Sequence, residues 1–407
     1  MKRVVITGIG AFTSIGTGCQ DFWKALLSGQ SGISPVESFD TSKYAVHVGG
    51  EIKAFSPASY IKTLEAQKIG RTSQLGIAAA KLALEDAQVD MAALDLTRAA
   101  ISMGTTSGEP NQIEQFDDYF VADNLQAAGD EMLTLYPCHH IAAYMAAELQ
   151  FMGRNTMIPA ACAAGTYAIS HAFDMLRLGQ ADLALAGGAD SFSRITYSGF
   201  AQLKAIAPER CQPFDKNRKG MIPAEGAGVL VLEPLERALA RNARIYAEIA
   251  GCGLSCDAFH MTGGHPEEAG SVKAMENALF ESGVQREEIS YISAHGTGTP
   301  TNDMHETRAV KKVFGNRSGQ VPISSIKSML GHTMGAASAI ETAVCALAAY
   351  TDRIPPTINL DESDPECDLD YVPNEAREHK VFAAMNNAYA FGGVNASLIV
   401  KKFKDAC

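Results

Sequence analysis

Three glycine-containing, strand-like segments of this chain recur in the same order further along it, and this repetition limits the possible folds most strongly. The pairs are VVITGIG (4–10) with AEIAGCG (247–253), ISMGTTSG (101–108) with ISAHGTGT (292–299), and ALAGGADSF (184–192) with AYAFGGVNA (388–396). Helix-like segments alternate with these strands, as in α/β layers with buried sheets. The sequence therefore predicts a duplicated α/β chain, with an N-terminal half of residues 1–245, a C-terminal half of residues 246–407, and a ligand crevice at their junction.

The bulk composition describes a folded protein and gives no sign of a nucleic-acid or membrane partner. With 407 residues, of which 46% are apolar and 20% charged, the chain is longer than one hydrophobic core usually supports. A net charge of -12 argues against binding to nucleic acid or anionic lipid. No apolar run reaches the roughly 20 residues of a membrane helix, and the opening residues resemble a strand rather than a signal peptide. The nine cysteines show no paired spacing, which predicts reduced thiols and a cytoplasmic location.

Cys162 stands among alanines and glycines in IPAACAAGTYAIS (158–170). Helical periodicity begins just after it, which places the thiol at a helix N-terminus, where unpaired N–H groups and the helix dipole favour an anion. We therefore expect a lowered thiol pKa and a nucleophilic role. The alternative is an inert cysteine that fills a small apolar space.

His295 follows a strand-like segment and precedes Gly296 and Gly298 in SAHGTGTPTND (293–303). A histidine in such a loop is expected to face a cleft, although it could simply cap a backbone carbonyl. Neither phosphate-binding glycine pattern fits the loop, so no nucleotide site is predicted. Thr297 and Thr299 could hydrogen-bond an amide-bearing ligand arm.

Lys327 and His332 lie close together in SSIKSMLGHTMGAASAIE (324–341). Glu341 could pair with Lys327 if the alanine-rich helix that follows folds back over the loop. A solvated lysine and a core histidine are the alternatives.

A glycine turn interrupts the last strand-like run at Phe391, in NNAYAFGGVNASLIV (386–400). Backbone N–H groups in such a turn are good donors to an oxyanion, although an ordinary strand connection would look the same. Together, one cysteine, two histidines and a lysine in small-residue surroundings indicate thiol-based acyl transfer. No metal site is predicted, because the candidate ligands lie far apart in sequence and no short ligand pair occurs.

Four motifs carry a family resemblance. PAACAAGTYAI, AHGTGTPTND, IKSMLGHTMGAASAIE and NAYAFGGVNASLIV occur in this order, and PFDKNRKGMIPAEGAGVLVLE (213–233) adds a fifth block. Together they resemble the elongating type of β-ketoacyl-acyl-carrier-protein synthases over essentially the whole chain. The resemblance implies a thiolase-like fold, a five-layer αβαβα sandwich built from two duplicated halves, and decarboxylative Claisen condensation with malonyl-acyl-carrier protein.

The resemblance also implies residue roles. Cys162 would carry the acyl group as a thioester, and His295 and His332 would assist decarboxylation and stabilise the enolate, with neither assigned as the sole base. Lys327 would orient the network, which the resemblance extends to Glu341, Asp303 and Glu306. The N–H groups of Cys162 and Phe391 would form the oxyanion hole, Phe391 would gate the acyl chain, and Thr297 and Thr299 would contact the phosphopantetheine arm.

The same resemblance implies partners rather than a bound cofactor. The phosphopantetheine arm would arrive on an acyl carrier protein, which is acidic, so a local basic patch is expected. Its candidates are Lys62, Lys68, Arg71 and Lys204, each of which could equally be a solvated surface residue. The protein is expected to be a homodimer, or a heterodimer with a subunit resembling a chain-length factor.

The pathway stays open between two alternatives. The segment GTTSGE (104–109), Val394 after the glycine turn, and the short AIAPERCQ (205–212) depart from the fatty-acid enzymes of the family. They favour a type II polyketide or polyene ketosynthase over fatty-acid elongation. A coenzyme A-dependent thiolase would carry a second reactive cysteine near the C-terminal glycine turn, and a non-catalytic partner subunit would lack Cys162.

Overall fold

The order of strands in the sheets is the same in both halves of the chain. The computed structural model describes residues 1–129 and 135–404. Its strands are β1 (Val4–Thr13), β2 (Gly16–Thr17), β3 (Ser34–Pro35), β4 (Val48–Gly49), β5 (Ala99–Thr105), β6 (Asn155–Pro159), β7 (Leu183–Asp190), β8 (Gly226–Pro234), β9 (Ala247–Cys256), β10 (Ile289–Ser293), β11 (Ile323–Ser324), β12 (Arg353–Ile354), β13 (Arg377–Glu378), β14 (Ala383–Ala390) and β15 (Val394–Lys401).

The α-helices of the described residues connect these strands. They are α1 (Gly18–Leu27), α2 (Pro57–Tyr60), α3 (Arg71–Asp86), α4 (Pro110–Val121), α5 (His139–Leu149), α6 (Ala164–Arg177), α7 (Arg194–Gln202), α8 (Leu235–Ala240), α9 (Ala269–Ser282), α10 (Pro300–Phe314), α11 (Lys327–Leu330) and α12 (Ala337–Thr351).

Two five-stranded sheets are joined at one corner. The N-terminal sheet runs β6-β5-β7-β8-β1, and the C-terminal sheet runs β11-β10-β14-β15-β9, so corresponding strands occupy corresponding places. The sheets meet where β1 pairs antiparallel with β9 from Val4 opposite Ile249 to Ile6 opposite Ala247. Within each sheet the strands toward the outer edge are parallel, as in β5 with β7 and β10 with β14.

Helices cover both faces of both sheets. α3 and α5 pack on the outer side of the N-terminal sheet, and α9 and α10 pack on the outer side of the C-terminal sheet. α6 and α12 contact each other in the layer between the sheets. This arrangement is the five-layer αβαβα sandwich that the family resemblance implies.

Small side chains allow the central helices to approach each other closely. A Cβ atom at Gly165 in α6 would come within 2.6 Å of the backbone N of Ala339 in α12. The segment Met334–Thr351 is long and apolar enough to cross a membrane by length and composition, but 89% of it is buried inside the fold. Its apolar character therefore reflects its place as the central core helix.

The close contact between α3 and β1 gives a test of the fold. A Cβ at Gly10 would lie 1.9 Å from the carbonyl oxygen of Ala79, so Gly10→Ala must push helix and strand apart. We expect the free energy of unfolding to fall by about 2 kcal/mol or more, measured by denaturant or thermal unfolding. Gly199→Ala is the control, because the Cβ at that helical position meets nothing within 4 Å. Equal stability of the two variants would contradict the described packing.

Candidate active site

Cys162 lies in a single helical turn, Ala161–Ala163, between the edge strand β6 and the central helix α6. Ala161, just before it, has a φ of +47°, a left-handed conformation that costs energy for any residue with a Cβ. The strained turn brings the thiol to the N-terminal end of α6. The sequence predicts this position, but nothing in it indicates the strain.

Two buried carboxylates shape the loop that carries His295. Glu306 accepts hydrogen bonds from the backbone N–H groups of His295 and Gly296, each at 2.8 Å. Asp303 accepts from the N–H of Gly298 at 3.2 Å and from that of Phe214 at 2.8 Å. Burial raises the pKa of both carboxyl groups, that of Glu306 to about 8. Both carboxyl groups therefore hold the backbone of the His295 loop in place.

Lys327 is fully buried and connects the loop to the central helix. Its ammonium group forms an ion pair with Glu341 of α12 and donates to the carbonyl oxygen of His295 at 2.7 Å. The same nitrogen lies 3.5 Å from Nδ1 of His295. Burial raises the pKa of Glu341 to about 7, and the positive charge of Lys327 opposes that rise. The predicted pairing of Lys327 with Glu341 is thus present in the structure.

His332 is held by backbone groups on both sides. The backbone N–H of His332 donates to the carbonyl oxygen of Ile222 at 2.7 Å. Its ring atom Nδ1 accepts from the backbone N–H of Met334 at 3.1 Å. Met334 has a φ of +51°, so this turn is also strained.

The hydrogen bonds at Nδ1 assign the same tautomer to both histidines. Nδ1 of His332 accepts from a backbone N–H, and Nδ1 of His295 faces an ammonium donor. Burial, together with the charge of Lys327, lowers the pKa of both imidazoles well below the ordinary value. Each ring is therefore neutral at pH 7, carries its proton on Nε2, and can donate a hydrogen bond from that atom.

The three side chains meet at one point. Sγ of Cys162 and one ring nitrogen each of His295 and His332 lie within 4.8 Å of one another. These atom types could ligate zinc, but a zinc-bound histidine normally donates its other ring N–H to an acceptor. Here Nδ1 of both rings faces a donor. The cluster fits hydrogen bonding to a substrate oxygen better than metal binding.

The predicted lowering of the Cys162 pKa is wrong. Burial raises the pKa of the thiol to about 12, and the negative charge of Asp190 adds to the rise. The charge of Lys327 favours the thiolate but is outweighed. The sequence argument counted the helix N-terminus and omitted the cost of removing a thiolate from water.

Asp190, which the sequence argument missed, holds the two halves together beside the site. Its carboxylate accepts from the N–H groups of Thr106, Ser107 and Gly335 at 2.8, 3.0 and 2.7 Å, and from Oγ1 of Thr105 at 2.8 Å. Gly335 immediately follows the residue that fixes the His332 ring. The position of Asp190 at the end of β7, in the segment ALAGGADSF that resembles the segment around Phe391, was the available signal.

A cavity of about 380 Å³ opens beside these groups. Cys162, His295, His332, Thr297, Thr299 and Phe391 all line it. The hydroxyls of Thr297 and Thr299 are hydrogen-bonded to each other at 2.9 Å. Phe391 lies in the turn Phe391–Gly393 with 43% of its surface exposed, and its ring centroid is 6.0 Å from that of Phe200.

The predicted basic patch needs one correction. Arg71 points inward, where Nε and Nη2 donate to both carboxylate oxygens of buried Glu225 at 2.8 and 2.6 Å. The charge of Arg71 is therefore paired with Glu225 inside the fold rather than offered to a carrier protein. Lys62, Lys68 and Lys204 are exposed, and Lys204 lies between two residues that line the cavity.

Comparison with known proteins identifies the family. The family model for the β-ketoacyl synthase N-terminal domain matches residues 1–238, and the model for the C-terminal domain matches residues 246–361. The chain belongs to the β-ketoacyl synthase family. It is therefore an acyltransferase with a thiolase-like fold, as the resemblance of its motifs predicts.

Full-length relatives agree with this assignment. The β-ketoacyl synthase described here is 38% identical to a 3-oxoacyl-[acyl-carrier-protein] synthase 2 from Synechocystis sp., over 99% of both chains. It is 37% identical to the protein of the same name from Coxiella burnetii, again over 99% of each. Among solved structures, the ishigamide ketosynthase/chain length factor is 41% identical, with a TM-score of 0.96 over 99% of this chain and 100% of that chain.

The raised thiol pKa predicts how Cys162 reacts with iodoacetamide. Below its pKa the thiolate fraction grows tenfold for each pH unit, so the alkylation rate should keep rising between pH 7 and pH 9.5. Site-resolved mass spectrometry can follow Cys162 separately from the other cysteines. A rate that levels off near pH 7 would show that the helix N-terminus outweighs burial after all.

Asp190→Asn tests whether the Asp190 carboxylate joins the segment 105–107 to Gly335. An asparagine offers one acceptor oxygen and turns its amide donors toward backbone N–H groups, so the folded protein should lose on the order of 3 kcal/mol. Unfolding by denaturant measures this loss. Asp123→Asn is the control, because Asp123 is exposed and asparagine tolerates its positive φ. An Asp190→Asn variant as stable as this control would contradict the described role.

Proposed function

We propose that this β-ketoacyl synthase transfers an acyl group from an acyl carrier protein to Cys162 and condenses it with malonyl-acyl-carrier protein. The observation that carries the proposal is the meeting of one thiol and two neutral imidazole donors within 4.8 Å, at a cavity open to a ligand. An imidazole that donates from Nε2 can stabilise a developing oxyanion without giving up its proton.

In the first step Sγ of Cys162 attacks the acyl thioester. The bond from the acyl carbon to the pantetheine sulfur breaks, and the thiol proton ends on that departing sulfur. Because the thiol is protonated in the resting protein, proton loss accompanies the attack rather than preceding it. The backbone N–H groups of Cys162 and Phe391 are proposed as the donors to the tetrahedral oxyanion.

In the second step the malonyl unit loses carbon dioxide. The electrons of the broken carbon–carboxyl bond pass to the thioester oxygen and form an enolate, to which His295 and His332 donate hydrogen bonds. The enolate carbon then attacks the acyl carbon on Cys162, and Sγ leaves as a thiolate that regains a proton from water. The product is a β-ketoacyl thioester on the carrier protein. Lys327, held by Glu341, positions His295 and keeps its proton on Nε2.

No bound cofactor is part of the proposal, since the phosphopantetheine arm comes with the carrier protein. Thr297 and Thr299 lie on the cavity wall, where their hydroxyls suit the amides of that arm. The exposed Phe391 ring, beside two glycines with positive φ, is placed to gate the acyl chain.

We propose an acyl carrier protein and a dimeric partner as the interacting proteins. A related structure, 28% identical with a TM-score of 0.92, is a type II PKS ketosynthase in complex with its acyl-carrier protein and bound to the hexaketide. The ishigamide structure contains a chain length factor. In this chain β6 is a sheet edge that leads directly to Cys162, and we propose it as the place where a dimeric partner binds. Lys62, Lys68 and Lys204 remain the residues proposed to bind the carrier protein. Co-purification from the native host would distinguish a second copy of this chain from a chain-length-factor-like subunit.

For the pathway we propose type II polyketide or polyene synthesis, with fatty-acid elongation as the alternative. The ishigamide ketosynthase supports the first, and the 3-oxoacyl-[acyl-carrier-protein] synthase 2 relatives support the second. Condensation assays with fatty and polyunsaturated acyl carrier proteins separate the two.

We further propose that the two halves divide near residue 245 and that the protein acts in the cytoplasm. The matching strand orders and the interval between the two family models support the division. The eight cysteines within the described residues are free thiols, which supports a reducing compartment.

Replacing Cys162 tests the acyl-enzyme. Cys162→Ala should take up no acyl group from an acyl carrier protein, as measured by intact-protein mass spectrometry. Cys138→Ala is the matched control, because this partly exposed cysteine lies outside the cavity lining, and it should acylate like the unchanged protein. Cys162→Gln should abolish condensation and still release carbon dioxide from malonyl-acyl-carrier protein. Acylation of Cys162→Ala would refute the proposed nucleophile.

A further inference from the structure

Tyr389 lines the cavity, but the steps proposed above assign it no role. It lies near the end of β14, two residues before Phe391, and its side chain lines the cavity with Cys162, His295 and His332. Its ring centroid is 5.9 Å from that of His295. The phenol is thus next to one of the two imidazole donors.

The hydroxyl of Tyr389 is buried and has no hydrogen-bond partner within residues 1–129 and 135–404. The buried tyrosines elsewhere in the fold are bonded: Tyr197 to the carbonyl of Val46 at 2.9 Å, Tyr291 to Ser324 at 2.7 Å, and Tyr371 to Thr307 at 2.7 Å. A buried hydroxyl without a partner destabilises the folded state. At a ligand cavity, such a group is best explained by a partner that the ligand supplies.

The surroundings of Tyr389 define what that ligand atom is. Burial and the nearby carboxyl groups of Glu306 and Asp257 hold the phenol pKa well above its ordinary value, so the hydroxyl is a donor at pH 7. The ligand atom must therefore be an acceptor oxygen. A thioester oxygen, which becomes negative as the enolate forms, is such an acceptor.

The position of Tyr389 assigns it to the incoming unit rather than to the stored acyl chain. Glu306 supports the His295 loop, and that loop continues into Thr297 and Thr299 on the cavity wall. Asp257 also lines the cavity, next to the Phe391 turn, where its N–H donates to the carbonyl of Gly393 at 2.8 Å. The Tyr389 ring thus lies beside the loop that carries His295 and the two threonines proposed to bind the pantetheine arm.

We propose that the Tyr389 hydroxyl donates a hydrogen bond to the thioester oxygen of the malonyl unit and strengthens that bond as the enolate forms. The inference rests on the proposed function and adds a third donor to the two imidazoles. When carbon dioxide leaves, the electron pair moves onto this oxygen, so a donor placed there stabilises the transition state more than the ground state.

Tyr389→Phe removes only the hydroxyl. With malonyl-acyl-carrier protein, we expect kcat for carbon dioxide release to fall about tenfold and KM to change little, because the bond strengthens only in the transition state. The rate of acyl transfer to Cys162, measured by intact-protein mass spectrometry, should stay unchanged. The melting temperature should not fall, because the hydroxyl that is removed had no partner in the protein.

Tyr197→Phe is the matched control, since it loses a bonded hydroxyl outside the cavity lining and should be less stable with unaltered kinetics. Carbon dioxide release at the unchanged rate in a folded Tyr389→Phe variant would overturn the inference, and so would a rise in KM alone. If the unchanged protein neither acylates nor releases carbon dioxide, the proposed function fails instead. The two failures are therefore distinguishable.

Discussion

The buried ammonium group of Lys327 joins its own helix to two other parts of the site. It reaches Glu341 in the central helix, the carbonyl oxygen of His295 in the loop after β10, and Nδ1 of the same histidine. A charge buried this deeply is tolerated only when it is paired and hydrogen-bonded. A buried ion pair of this kind contributes little net stability, so its effect on the histidine loop is the better reason for its presence.

Burial is the cause that links the unusual protonation states of the site. It raises the pKa of the Cys162 thiol and of the supporting carboxyl groups, and it lowers the pKa of both imidazoles. At neutral pH the resting site therefore holds a neutral thiol and two neutral donors around one point. Such a site develops negative charge only during the reaction, on a thioester oxygen that receives the hydrogen bonds.

The sequence predicted the duplicated α/β layers and the residues that meet at the site, because the glycine turns and small-residue motifs are local patterns. Two features could not be predicted from the sequence, for the same physical reason. The pKa of Cys162 depends on how much protein surrounds the thiol, and the role of Asp190 depends on donors from segments far apart in the chain. Arg71 was misassigned because its partner Glu225 is also remote in sequence. Strain at Ala161 and Met334 likewise arises from the tertiary fold.

The central claim is that His295 and His332 are both neutral and both carry their proton on Nε2. Nitrogen-15 NMR of histidine-labelled protein measures this most directly, with signals assigned by single replacement of each histidine. The account predicts a protonated Nε2 and an unprotonated Nδ1 for both rings at pH 7 and still at pH 6. A proton on Nδ1 of either ring, or titration of either ring near pH 6.5, would contradict it.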